Sequence, residues 1–522
     1  MRRALAALTA TAVLISAAVF TAPGAVSAAT HQLTVTTISR TGAKVKTAVS
    51  VVNLSSNSTY QATSGKARKL PKGKYAVLAS IYTAADGTST VGARVVNVSG
   101  DTKTTIDARS GRPIKVNLSP ASTGIHYDAV RICAKNTTVG GVEAYAEAGK
   151  LYVIPHTSTN LRFAYTSRWE EASGTDAGSA YVVTGTATGF PSGIQRTVKR
   201  SSLAAITLYA RRGPAGAPGV YLAAQSATSG CLAGIFNSLY NGEAPLRLKA
   251  YVSPGRWDLR AFSSATNGDI IGSYTRIRNL EGGKNYTQTF FRSAWGPAGR
   301  LPYVVRSRLH FLADSDMFSD PGFNSPSYGG EGSAKSVVTL TRGGTTLKKQ
   351  TRTSWEGSDP TFTYKLTSAG WYTLNVDARR YRPGHTYPAD MLSTRSTATY
   401  RFHADPKKSQ VAPVFVTRFD PQGLDLYNRA KPGSSTTVNL TLQRPKQDPD
   451  AKMTSVKPKT VTVRASFDGG KTWRSLSVKQ TDGKWSAVVK NPASGVVDLR
   501  AKVTDAAGNS SEITVYRAYA IG

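Results

Sequence analysis

Apolar and polar residues alternate along most of this chain. Near its end Val461, Val463 and Ala465 alternate with Thr460, Thr462 and Arg464, and Val497, Leu499, Ala501 and Val503 alternate with Asp498, Arg500 and Lys502. A period of two places one face of a strand in a core and the other in water. Asp468-Gly469, Asp482-Gly483 and Gly508-Asn509 fall between these runs, and such pairs supply the positive φ that short hairpins need. Residues 460–522 therefore read as a small antiparallel sandwich. Weaker versions of the pattern fill the rest. Leu33 and Val35 open the series, Tyr75, Val77, Ala79 and Ile81 follow a turn at Leu70-Pro-Lys-Gly73, and Ile114, Val116 and Leu118 close the first unit. Further strands are expected at 151–154, 161–165, 181–183, 204–210, 246–252, 257–262 and 337–340, with 362–366 and 372–376 as a second pair. No long amphipathic helix follows the first residues.

The fold class expected is all-β, with tandem β-sandwich domains after a signal peptide. A prior of roughly 150 residues per domain gives three or four domains. The boundaries expected are a signal peptide at 1–28, a sandwich at 30–119, a β-rich domain at 123–297, a sandwich at 301–405 and a last sandwich at 411–522. Pro120 and the polar linker 405–410 punctuate them, and the charged insert 444–459 reads as an exposed loop. A glycine followed two residues later by Tyr or Trp, and two later again by an apolar residue, recurs at Gly73/Tyr75/Val77, Gly255/Trp257/Leu259, Gly370/Tyr372/Leu374 and Gly483/Trp485/Ala487. Glycine makes the turn and the aromatic opens an inward-facing strand.

Arg2 and Arg3 precede an apolar stretch over 4–20, broken by Pro23 and Gly24 and followed by the small-residue box Val26-Ser-Ala28. This is the layout of a secretory signal peptide cut after Ala28, with Ala29 as the alternative site; the stretch is short for a membrane anchor. The expected location is secreted and extracellular, with no membrane span after cleavage. The formal charge is +35. A basic surface aids solubility, and it also attracts anionic polymers. An anionic cell-wall polymer or glycan is therefore a candidate partner. Nucleic acid is not expected, because the chain is exported and carries no helix-turn-helix, zinc-finger or RNA-binding signature. The two cysteines, Cys133 and Cys231, are expected to form a disulfide in an exported chain. Two free buried thiols or a nucleophile are the alternatives.

The search for chemistry yields little. His31, His126, His156, His310, His385 and His403 show no metal-ligand spacing. There is no nucleophile elbow, and no phosphate-binding glycine loop. Glu170 and Glu171 beside Trp169 are the most suggestive carboxylate pair for sugar chemistry, although strand-end charges in water are the simpler reading. Asp314, Asp316 and Asp320 place oxygens at intervals that a calcium loop uses. The EF-hand spacing is not met and the closing Glu is missing, so a solvated acidic turn is preferred and no cofactor is expected. Ser466, Asp468, Gly470, Thr472 and Trp473 match the Asp-box hairpin of sialidases, where the motif is structural. Trp295, Trp355 and Trp371 are candidates for stacking on sugars, with core packing as the alternative.

Residues 411–421, 440–443, 466–473, 499–509 and 517–520 resemble the C-terminal domain of large secreted subtilisin-like peptidases of actinobacteria. Residues 285–297, 392–395 and 400–402 resemble the accessory segment before it. Residues 70–75 resemble the prealbumin-like, carboxypeptidase-regulatory module of such chains. The resemblance implies immunoglobulin-like and prealbumin-like sandwiches. It implies no catalytic residue, because the family's Asp-[Ser/Thr]-Gly, His-Gly-Thr-His and Gly-Thr-Ser-Met-Ala motifs are all missing from this sequence. The expectation is a secreted, non-catalytic binding or accessory protein. A hydrolase with an unrecognised site in 123–297, or a companion or inhibitor of a separate secreted subtilisin-like protease, are the alternatives.

Overall fold

The computed structural model of the protein describes residues 30–135, 140–173, 176–214, 216–227, 230–265, 268–298, 300–312, 317–323, 329–331, 334–353, 361–445 and 448–522. The expected signal peptide, Asp314, Asp316 and Trp355 lie outside these residues. The described chain is all-β, as the alternation predicts. Its only helical pieces, among the described residues, are short 3-10 turns such as Cys231–Gly234.

The first half is layered. A three-stranded sheet is centred on strand Thr30–Ile38, which pairs with Ala67–Pro71 and Thr102–Asp107. It covers one face of a seven-stranded sheet through Leu33, Val35, Val51, Tyr75, Val77 and Ile106. The opposite face of that sheet, with Ala76, Leu78, Val91, Ile114 and Val116, meets a second seven-stranded sheet that presents Val130, Ile132, Phe163, Tyr165 and Trp169. Strand Gly73–Thr83 is consequently buried on both faces. This explains why Ala76 and Leu78 interrupt the simple alternation of Tyr75, Val77 and Ala79: a strand covered on both sides has no solvent face to mark.

Hydrogen-bond ladders run across the expected boundaries. Leu151–Val153 pairs with Thr88–Val98 and Arg112–Ser119, and Ile194–Lys199 continues the same sheet beside Arg112–Ser119. Further on, Arg395–Ala404 pairs with Ser510–Ile521, so a nine-stranded sheet joins segments from 334–404 to the last hundred residues. One continuous core runs from Ala180 to Ile521. The pair expected at 362–366 and 372–376 separates. Thr361–Lys365 pairs with Arg308–Leu312 in a four-stranded sheet, while Gly370–Arg380 lies in the nine-stranded sheet between Ala334–Arg342 and Arg395–Ala404. The short connection 366–369 is a corner from one sheet to the other, and sequence alternation cannot distinguish a corner from a hairpin.

Asn428 locks the modules together. It is fully buried at φ +57°, a conformation that Asn tolerates better than most residues. Its Nδ2 donates to the carbonyls of Arg212 and Phe291, both at 2.8 Å, and its Oδ1 accepts from the Ser293 amide at 3.0 Å.

Candidate functional site

The second seven-stranded sheet has two different halves. Over strands Asp176–Thr188, Leu246–Val252 and Ala204–Ala210, the face turned to the five-stranded sheet carries Ala180, Val182, Ile206 and Leu248, and these fill the space against Val220, Leu222 and Leu259. Over strands Ile125–Ala134, Val142–Glu147 and Leu161–Ser173, the same face carries Tyr127, Ala129 and Cys133, Tyr145, and Ala164, Thr166 and Arg168. Their shared face follows from the register, which sets Tyr145 opposite Ala129, Thr166 opposite Ala129 and Arg168 opposite Tyr127. Small residues there leave a gap that the core does not fill.

One end of the gap is closed by the Cys133–Cys231 disulfide, whose cysteines lie 98 residues apart in sequence. The bond fixes the 3-10 turn Cys231–Gly234 against the sheet, where Ala129, Ala164, Leu232 and Ile235 form a small apolar cluster around it. The expected disulfide is therefore present, and it sets the spacing between two sheets.

The other end stays open as a cleft of about 190 Å³, lined by Tyr127, Tyr145, Tyr221 and Phe236 with Thr166, Arg168 and Ser238. Tyr145 is 55% exposed and Tyr127 38%. Tyr221 and Phe236 stack with centroids 5.8 Å apart, and Phe262 backs both rings. Tyr145 donates through its hydroxyl to Glu143 at 2.6 Å, and Glu143 is in turn paired with Arg131 at 2.9 Å. Arg168 spans the cleft. It donates to the Ser238 carbonyl on the far sheet, pairs with Glu170 at 3.1 Å and lies 5.5 Å from the centre of the Tyr127 ring. The Thr166 hydroxyl, in a residue 1% exposed, has no hydrogen-bond partner among the described residues. A buried hydroxyl left without a partner costs free energy. Rigid aromatic walls with a few fixed polar groups suit the apolar faces and hydroxyls of a sugar.

Glu170 and Glu171 do not converge. As neighbours on one strand they point to opposite faces. Glu170 pairs with Arg168, while Glu171 accepts from Arg200 at 2.6 Å and Ser122 at 2.8 Å. Burial pushes the Glu171 carboxyl up, but the Ser122 and Arg200 hydrogen bonds prevail and hold it below its usual value. Arg200 also donates to the carbonyls of Pro120 and Ala121, so this pair is a clamp at the start of the second region.

Asp320 is fully buried. Its Oδ1 accepts from the Gly322 amide at 2.7 Å and its Oδ2 from the Arg292 amide at 3.0 Å. Among the described residues no group of His, Cys, Asp and Glu is arranged to hold a metal ion. Burial pushes the Asp320 carboxyl from 3.8 up to about 6, against the amides of Gly322 and Arg292 and the charges of Arg292 and Arg418. An acid whose pKa is raised by folding holds its proton more tightly in the native state. Its contribution is complete below about pH 4 and is lost as pH rises through about 6, a change of about 3 kcal/mol. Asp320→Asn is expected to flatten that part of the stability profile between pH 4 and 7, as followed by denaturant midpoints; a variant profile parallel to the parent would exclude Asp320 as the source.

The hairpin 466–473 is self-contained. Asp468 accepts from the amides of Lys471 and Thr472 and from the hydroxyls of Thr472 and Ser466. The Thr472 bonds foremost hold its carboxyl far below the usual range. Trp473 donates through Nε1 to the Gly470 carbonyl at 2.9 Å, and the Arg500 guanidinium lies 4.0 Å over its ring. Trp295 is fully buried, and Trp371 is half-buried beneath Arg401 at 4.1 Å.

No protein-family model matches the chain, and no curated protein matches it. Among solved structures it is similar to the FN1–FN3 domains of chicken CNTN1, at 11% identity over 57% of this chain and 90% of that one with a TM-score of 0.14. It is similar to a streptococcal ancillary pilin, at 10% identity over 50% and 99% with a TM-score of 0.12. It is also similar to native E. coli alpha-2-macroglobulin, at 10% identity over 92% and 38% with a TM-score of 0.17. At these identities and TM-scores the likenesses carry nothing about function.

Proposed function

We propose that this protein is an extracellular, non-catalytic binding protein that holds a glycan chain of the cell wall in the cleft between its disulfide-linked sheets. The observation that carries the reading is the set of aromatic walls, Tyr127 and Tyr145 facing Tyr221 and Phe236, with the Arg168 guanidinium across them. The disulfide fits an oxidising compartment, and the net charge of +35 draws the chain to anionic surfaces. The resemblance of residues 411–522 to the accessory region of secreted subtilisin-like peptidases agrees with a binding role outside the cell.

The test is co-sedimentation of the protein with bacterial cell walls, with and without their anionic polymers, across a salt series. Tyr145→Ala removes an exposed ring at little cost to the fold, and is expected to weaken binding about tenfold at high salt, where diffuse charge attraction is screened. Binding by the variant equal to that of the parent would remove the cleft from consideration. Loss of all binding on polymer removal or at high salt would make this a purely charge-driven wall protein.

A further inference from the structure

The nine-stranded sheet carries a row of cations on its outer face. Strands Ala334–Arg342, Gly370–Arg380 and Arg395–Ala404 are neighbours, followed by Ser510–Ile521. Register sets Lys335 opposite Arg379, Arg379 opposite Arg395, and Arg395 opposite Tyr516. Directly opposed residues share a face, with strands about 4.8 Å apart. Three cations thus stand side by side on the outer face, and like charges so placed repel.

Compensation is partial. Asp377 binds Arg395 through two hydrogen bonds, at 2.8 and 2.7 Å, and the Arg395 guanidinium lies 4.8 Å over the Tyr516 ring. Lys335 and Arg379 are exposed, and neither has an ion-pair partner among the described residues. Beside the row a groove of about 580 Å³ opens, lined by Arg379, Arg395, Tyr516 and Arg517; its one carboxylate, Asp498, is 1% exposed and accepts from the Arg517 amide at 2.7 Å, so the exposed charge of the groove is positive. Arg517 adopts φ +52° and is tied through Nε to the Met391 carbonyl at 2.8 Å. Two of the guanidiniums are therefore held in place before any ligand arrives, one by a carboxylate and one by a backbone carbonyl.

We propose that this groove is an oxyanion site, separate from the aromatic cleft, that takes the phosphate groups of a phosphodiester-linked polymer. Several cationic groups reach it from different strands. A phosphodiester presents two non-bridging oxygens that share one charge, and a guanidinium fork meets both through parallel hydrogen bonds. The row of cations along the groove suits a chain bearing repeated charges.

The experiment is calorimetric titration of the full chain with a glycerol-phosphate oligomer across a salt series, with an oligogalacturonate as the carboxylate probe. Arg379→Glu is expected to weaken phosphate binding at least tenfold and to make the slope of log K against log salt shallower by about one. Arg379→Lys should retain most of the binding. Lys103→Glu, an exposed reversal on the first sheet, should change it less than twofold. Tyr145→Ala should leave it unchanged, so the cleft and the groove succeed or fail separately. Three results would each overturn the proposal: parental affinity in Arg379→Glu, an equal loss in Lys103→Glu, or an oligogalacturonate bound as tightly as the phosphate oligomer.

Discussion

Replacing both Cys133 and Cys231 by serine is expected to lower the stability of the surrounding sheets by about 4 to 5 kcal/mol, because the cross-link closes a loop of about 100 residues in the denatured chain. The effect should be local. The disulfide joins strand Ile125–Ala134 to the turn Cys231–Gly234, and the cluster around it holds only a few apolar side chains. Hydrogen exchange of the amides in Ile125–Ala134 and Gly219–Ser226 reads the loss directly, and those of Ser435–Gln443 serve as the control. The same variant should bind glycan more weakly, since the turn that spaces Tyr221 and Phe236 from Tyr127 is no longer anchored. Protection unchanged to within about 1 kcal/mol would mean that the apolar cluster alone positions the turn.

Asn428→Ala is expected to cost about 4 kcal/mol. The substitution strips the partner from the buried Phe291 carbonyl and the buried Ser293 amide, and from the half-buried Arg212 carbonyl. Each buried group left unsatisfied costs about 1 to 3 kcal/mol, and alanine at φ +57° adds strain of about 1 kcal/mol. Because these partners come from segments more than a hundred residues away, the variant should also loosen residues 211–212 and 291–293 relative to the last module. Asn428→Asp should be at least as damaging, since its second oxygen would face two carbonyls. Urea midpoints check the size, and a loss below about 1 kcal/mol would mean that water replaces the amide.

Much of the fold is legible in the residues because strand formation is a local matter. Val497, Leu499, Ala501 and Val503 lie on one face of a strand, and every one of them is in the core; Asp498 on the other face is buried as well, where its carboxylate accepts from the Arg517 amide. Where strands are covered on both faces, as at Gly73–Thr83, alternation weakens and only the run of apolar residues remains. The candidate site was hidden for a related reason. In Ile125–Ala134 the faces bearing Tyr127 and Val130 are both partly apolar, so nothing along the strand says which tyrosine meets a core and which meets a cleft. Trp295 and Trp371 are aromatics of the kind that stacks on sugars, yet one is core and the other half-covered by an arginine. Ser466–Trp473, by contrast, was readable because every bond of its turn lies within a few residues.

Alternation, turn residues and composition account for the strands named at the outset, for the hairpin turns and for the basic charge, and two thiols in an exported chain account for the disulfide. These depend on side-chain alternation, glycine conformations and the redox chemistry of two thiols, all readable along the chain. Tertiary structure decided which strands share a sheet, how Arg395–Ala404 comes to pair with Ser510–Ile521, and where two sheets part to leave a cleft. It also decided that Lys335, Arg379 and Arg395 stand in one row. Pairing between distant strands is set by packing over the whole molecule and not by neighbours in sequence, so a site assembled from several strands exists only once those strands have met.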